Sequence, residues 1–203
     1  MLEAMQESGS SSGRSRDRVR RSYPCIGFMA KTAVDLGCGK SRRNPSHADV
    51  CIGVDLFPSS EPDYFCCRLG IDPLPFADNT IDYFSAFDVV EHVPRVLWRD
   101  GNLVNPFIFL MSEVYRCLKP MGTFYAETPA FPHSPAFQDP THVNIITEDT
   151  VFYFCRKPVA DGSADAELLL EHGRNYGFNG VFNLVEQRWR GAHLLWTLAK
   201  SPL

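Results

Sequence analysis

The sequence predicts an α/β fold: a mostly parallel sheet, flanked by helices and closed by a C-terminal antiparallel hairpin. Three observations carry this expectation. Short apolar runs recur along the first half of the chain and end in Gly or Asp, as buried parallel strands do. A stretch beginning at Asn105 combines helix-start residues with helical periodicity. Two runs near the C-terminus are joined by Arg190-Gly191, a hairpin connection.

Taken in order, Thr32 to Leu36 (TAVDL) is the first expected strand. Val50 to Val54 (VCIGV) is the second, ending at Asp55, and Tyr64 to Leu69 the third. Ile81 to Phe87 (IDYFSAF) follows the turn-forming Ala77-Asp78-Asn79. Asn105 and Pro106 suit an N-cap and a first helical position, and Phe107, Leu110, Met111, Val114 and Leu118 then share one face. Lys119-Pro120-Met121-Gly122 should end that helix, with a strand over Thr123 to Glu127. Thr147-Glu148-Asp149 reads as the start of a helix to about Cys155. Val181 to Arg188 and His193 to Ala199 form the hairpin. In such sheets ligands bind at the carboxyl ends of the strands, where the strand order reverses.

A chain of 203 residues, 44% apolar and 22% charged, suits one soluble domain. Residues 1–22 read as a disordered, Arg- and Ser-rich tail, leaving 23–203 as the domain. The net charge of -4 gives no reason to expect nucleic acid as a partner. Seven Cys without a CxxC pair suggest free thiols. Cys66 and Cys67 should point to opposite faces of a strand and serve packing. The sequence shows no membrane span and no secretory signal, so the cytoplasm is the expected location.

Asp35-Leu36-Gly37-Cys38-Gly39 closes the first strand with glycines that let a ligand approach the backbone. Asp55 closes the second, where a carboxylate can accept bonds from both hydroxyls of a ribose. A capped turn and a tight bend would explain the same residues without a ligand. Four motifs in order decide between these readings: Val34 to Gly39 (VDLGCG), Leu74 to Asp82 (LPFADNTID), Glu91-His92-Val93, and Leu118 to Gly122 (LKPMG). Together they resemble the class I, Rossmann-like methyltransferases that depend on S-adenosylmethionine (SAM).

That resemblance implies SAM as cofactor, with Asp35, Gly37, Cys38 and Gly39 facing its methionine part. Asp55, with Leu56 beside it, would hold the ribose, and Asp72 the adenine amino group. Phe87 and Asp88 would lie nearest the sulfonium. The chain departs from the family in carrying Ser41 for a third glycine. Its first crossover, Gly37 to Asp49, is also too short for a full helix and is interrupted by Asn44-Pro45. Lys40, Arg42 and Arg43 could pair with the SAM carboxylate or simply be solvated. Arg42 stands where a dinucleotide loop would need glycine.

The acceptor region should be Thr128 to Thr147, whose Asp139-Pro140-Thr141-His142 resembles the DPTH loop of small bacterial methyltransferases. His142 is a candidate base oriented by Asp139, or a residue that locks the loop. Asp88 and His92 are further catalytic candidates, although Glu91-His92 equally suits capping or packing. Glu127, His133, Asp139 and His142 form a conceivable metal set, but no metal is expected. Trp98, Phe131, Phe137, Tyr153 and Phe154 either line an acceptor pocket or pack in the core. The expected activity is methyl transfer to an oxygen of a small molecule or glycan, with a homodimer as a possible assembly. A catalytically silent SAM-binding subunit is the alternative.

Overall fold

The apolar runs of the first half become the parallel centre of a seven-stranded sheet. The computed structural model describes residues 30–157 and 165–202; the expected tail and Cys25 lie outside them. Strands β1 (Thr32–Leu36), β2 (Val50–Asp55), β3 (Tyr64–Cys66) and β4 (Ile81–Phe87) are followed by a small hairpin, β5 (Leu97–Arg99) and β6 (Asn102–Val104). Helix α1 (Pro106–Cys117) leads into β7 (Leu118–Pro129). A single helical turn, α2 (Pro135–Gln138), and helix α3 (Asp165–Asn175) precede β8 (Phe182–Arg190) and β9 (His193–Lys200).

The sheet order is β3-β2-β1-β4-β7-β9-β8. The first five of these pair in parallel, while β9 is antiparallel to both β7 and β8. This is the expected Rossmann-like sheet with its closing hairpin. The chain winds outward from β1 to β3, then returns to β4 beside β1. That reversal opens a crevice beyond the ends of β1 and β4.

Alternation along the strands explains the core. Val34, Leu36, Ile52, Val54, Phe84, Ala86, Phe124 and Ala126 are all buried, as are Phe107, Leu110, Met111, Val114 and Cys117 of α1, and both sets belong to one apolar cluster. Each large side chain in it contributes about 2 kcal/mol. Phe107, Phe154, Phe178 and Phe182 continue the cluster through edge-to-face and stacked contacts with centroids 5.2–5.9 Å apart. Phe154 is therefore core, and Tyr153 packs beside it.

Several local expectations are corrected. The third strand stops at Cys66, which is exposed, so of that pair only Cys67 packs in the core. Asn105 precedes α1 without a side-chain capping bond. The Thr147 segment yields only a 3-10 turn, Thr150–Tyr153, and the Thr147 N–H donates to the Thr150 hydroxyl at 2.9 Å. The proline-containing stretch before Asp139 holds the turn α2. The β5–β6 hairpin and α3 are elements that the sequence patterns did not indicate. Among the described residues no helix is long and apolar enough to cross a membrane.

The C-terminus of α1 has an unusual cap. Its last four carbonyls need donors from outside the regular ladder. Leu118 N–H serves Val114, Asn79 N–H serves Arg116 and Thr80 N–H serves Cys117. The Tyr115 carbonyl receives the Lys200 ammonium at 2.7 Å. The same ammonium donates to Leu118 O at 2.9 Å and to Asn79 Oδ1 at 2.7 Å. Lys200 is buried and carries the charge that the negative end of a helix favours. Lys200→Met should therefore leave three acceptors unserved and lower unfolding free energy by about 3 kcal/mol. A urea unfolding curve with an unchanged midpoint would show that this cap is dispensable.

Candidate functional site

The carboxyl ends of the parallel strands lie in one row. Leu36 is level with Val54 and Ala86, Asp55 with Cys66, and Phe87 with Glu127. The segments that leave these ends, starting at Gly37, Leu56, Asp88 and Ala130, define the site.

Asp35 organises the first of them. The carboxylate is buried, and it accepts the Ser85 hydroxyl at 2.8 Å and the Arg43 N–H at 2.7 Å. Burial raises its pKa above the ordinary carboxylate value, while the two donors pull the other way. Both oxygens thus serve the protein itself. The crossover between β1 and β2 contains no helix and runs as a loop across the sheet. It lies close to β2 because Gly53 has no side chain: a Cβ there would stand 2.7 Å from Cys38 Sγ and 3.0 Å from Arg42 Cδ.

The two glycines of the motif differ. Gly37 has φ +65, and an added Cβ would sit 2.3 Å from Val89 Cγ2. Gly39 has φ +56, with nothing within 4 Å of where its Cβ would lie. Its N–H donates to Asp55 Oδ2 at 2.9 Å, and Phe57 N–H donates to Oδ1 at 3.2 Å. Gly39 therefore borders open space next to a half-buried carboxylate. Leu56 and Phe57 beside it are 53% and 71% exposed, which leaves two apolar side chains facing outward at the strand end.

The three basic residues part company. Arg42 donates to the carbonyls of Cys51, Pro62 and Asp63 and so stitches the loop to β2 and the segment before β3. The Arg43 guanidinium lies 4.5 Å from the centre of the Phe87 ring. Lys40 is exposed. Asp72 is held by Arg68, whose guanidinium reaches both oxygens at 2.9 and 2.7 Å, so an adenine amino group there would share an occupied carboxylate.

On the other side of the row, Asp88 has φ +53, and its Oδ1 is 3.0 Å from His193 Nε2. His193, the first residue of β9, was missed from sequence because its neighbours in the chain are apolar strand residues. Glu127 accepts from Tyr125 at 3.0 Å and pairs with Arg190, and His133 stacks edge-on against Trp189 at 5.0 Å. The set Glu127, His133, Asp139 and His142 is accordingly not assembled.

What assembles instead is Glu91, His92 and His142. Val143 and Asn144 donate their N–H groups to the Glu91 carbonyl at 3.0 and 2.9 Å, and Asn144 Nδ2 donates to Val90 O at 3.0 Å. The DPTH loop is thereby fastened to the 3-10 turn Val90–His92, and Arg95 braces Asn144 at 2.6 Å. His142 Nε2 stands 4.0 Å from both Glu91 Oε1 and Asp139 Oδ2, beyond hydrogen-bond reach of either. Asp139 instead accepts the Thr141 hydroxyl and N–H, which hold its carboxyl below the ordinary range. Trp98, Phe131 and Phe137 are 70%, 51% and 54% exposed and so lie outside the core.

No protein-family model matches the chain, and no curated protein matches it in sequence. Solved structures share its fold. A chain of the complex between the Haloferax volcanii Trm112 methyltransferase activator and its methyltransferase is 17% identical, with TM-score 0.52, covering 86% of this chain and 84% of that chain. The [4+2]-cyclase SpnF is 15% identical, with TM-score 0.51, over 86% of this chain and 76% of that chain. A TehB-like SAM-dependent methyltransferase from Corynebacterium glutamicum is 14% identical, with TM-score 0.50, over 86% and 83%. At these identities the likeness is one of fold, the class I methyltransferase fold, and a fold hosts more than one chemistry.

The contrast between the two glycines can be tested. Gly39→Ala should cost only the left-handed backbone strain, about 1 kcal/mol. Gly37→Ala adds the collision with Val89 and should cost about 2 kcal/mol more. Equal urea midpoints for the two variants would mean that the Val89 contact does not hold the loop.

Proposed function

We propose that this protein binds SAM at the ends of β1 and β2 and transfers its methyl group to an oxygen of a small molecule or glycan. The observation that carries the reading is Gly39 bordering open space beside Asp55. A ribose presents adjacent hydroxyls, and Asp55, steadied by the Gly39 and Phe57 N–H groups, keeps lone pairs for both. The exposed Leu56 and Phe57 offer apolar surface to a purine. Arg43, held over Phe87, is the cation best placed for the amino-acid carboxylate. The class I methyltransferase fold supports the same assignment.

When bound, SAM supplies an electrophilic methyl on a sulfonium. The chain must hold an acceptor oxygen in line with it and accept the proton of a hydroxyl. The Asp88–His193 pair suits the second task. Asp88 accepts from His193 Nε2–H, which leaves Nδ1 bare on a ring of fixed orientation. His92 and His142 beside Glu91 are further histidines of the acceptor side.

Calorimetry should show binding of SAM and of its demethylated product by the wild type, weakened about 30-fold or more by Asp55→Ala, which is about 2 kcal/mol. No binding by folded wild type would falsify the reading. His193→Ala should keep SAM affinity and, once an acceptor is in hand, lower turnover by about 10²–10⁴-fold.

A further inference from the structure

Glu91 is 1% exposed, yet its Oε1 has no hydrogen-bond partner, and neither has the buried Nδ1 of His142. A buried carboxylate oxygen without a donor is costly, and such a vacancy calls for a positive group. Across the gap from that oxygen stands His142 Nε2, and beyond it Asp139 Oδ2, each step 4.0 Å. The other carboxylate oxygen of Glu91 is already served by the Thr128 hydroxyl at 2.8 Å, which fixes the plane of the group.

His92 completes the set. Its Nδ1 lies 3.0 Å from the Thr141 hydroxyl and 3.2 Å from the Thr141 carbonyl. That hydroxyl gives its own proton to Asp139 Oδ1 at 2.6 Å, so both Thr141 oxygens act as acceptors toward His92. Nδ1 therefore carries the hydrogen, and in the neutral ring Nε2 is bare. An imidazole whose one nitrogen donates to a backbone or side-chain oxygen is the arrangement that orients a metal-ligating histidine.

One ligand atom from each of Glu91, His92 and His142 lies within 4.8 Å of the others. Two ligands each about 2.1 Å from a tetrahedral ion stand about 3.4 Å apart, so the pairs of the cluster need to contract by at most about 1.4 Å. His92 and His142 already meet at 4.8 Å between ring centres, at 75°. We propose that Glu91, His92 and His142 bind one divalent transition-metal ion of the zinc class. Three protein ligands of this kind leave a coordination position open, as reactive rather than purely structural sites do. The two ligand segments are held together by the bonds from Val143 and Asn144 to Glu91 O, so the site exists before the ion arrives. The use of the open position to fix an oxygen-bearing acceptor rests on the methyl-transfer reading; the binding of the ion does not.

The test uses the full chain, stripped with a chelator, then dialysed against Zn²⁺ or Co²⁺ alone with no SAM present. The expected result is one ion per chain by elemental analysis, and visible cobalt bands shaped by nitrogen and oxygen ligands. Glu91→Gln keeps the shape and the Thr128 bond but should weaken Zn²⁺ binding by more than about 100-fold, as should His142→Ala. His133→Ala, outside the cluster, should bind like the wild type. Circular dichroism establishes which variants fold, and His92→Ala replaces any that does not. Folded wild type without stoichiometric metal, or unchanged Zn²⁺ affinity in the folded ligand variants, overturns the site and returns His142 to the role of a base. SAM calorimetry on the stripped protein separates the two ideas, since metal binding without SAM binding would overturn only the methyl-transfer reading.

Discussion

A carboxylate buried at the end of a central strand must be answered by donors, and the answer to Asp35 directs the chain that follows it. One donor, the Ser85 hydroxyl, comes from the neighbouring strand and costs the fold nothing in chain path. The other is the N–H of Arg43, eight residues along, which can reach Asp35 only if the intervening loop folds back over the sheet. That path excludes a crossover helix. It also brings the Arg43 guanidinium onto Phe87, presses Gly37 against Val89 and turns the Gly39 N–H toward Asp55. The open space beside Asp55 is thus a consequence of satisfying one buried acid, whose pKa burial raises above the ordinary carboxylate value.

Missing helical cover is made good by side chains. Arg42 takes three carbonyls between Cys51 and Asp63, where a crossover helix would otherwise have shielded the sheet. Gly53 gives the room for it. Hydrogen bonds to a charged donor are worth more than neutral ones, so a single arginine can anchor a loop of this length. The loop stays a backbone-lined ledge, and a ledge with glycine at Gly39 is open to a ligand in a way a side-chain-clad helix is not.

The far side of the crevice also buries an acid, Glu91. The DPTH loop is tied by backbone bonds to the turn after β4, so Glu91 faces His142 without either having a partner between them. Asp88 and Glu127, by contrast, are answered within the protein, by His193 and by Arg190 with Tyr125. Glu91 keeps one buried oxygen without a hydrogen bond, which is why the further site falls there and not at Asp88 or Glu127.

Strand positions, the helix from Pro106 and the closing hairpin were legible in the sequence, because alternation, helical periodicity and glycine placement are local properties. The places of Asp35, Gly37, Gly39 and Asp55 at the ends of β1 and β2 were legible too, since their spacing lies within one strand-loop-strand unit. The 3-10 turn at Thr150, the β5–β6 hairpin and α3 were not, because weak or mixed local patterns are settled by packing. The partners of the site were hidden for a different reason. His142 meets Glu91 across 51 positions and His193 meets Asp88 across 105, and such pairings exist only once the sheet has set the ends of β4, β7 and β9 side by side. Sequence alone determined which residues could do chemistry at the strand ends; the tertiary structure decided which of them face one another, because only the sheet order brings distant segments within reach.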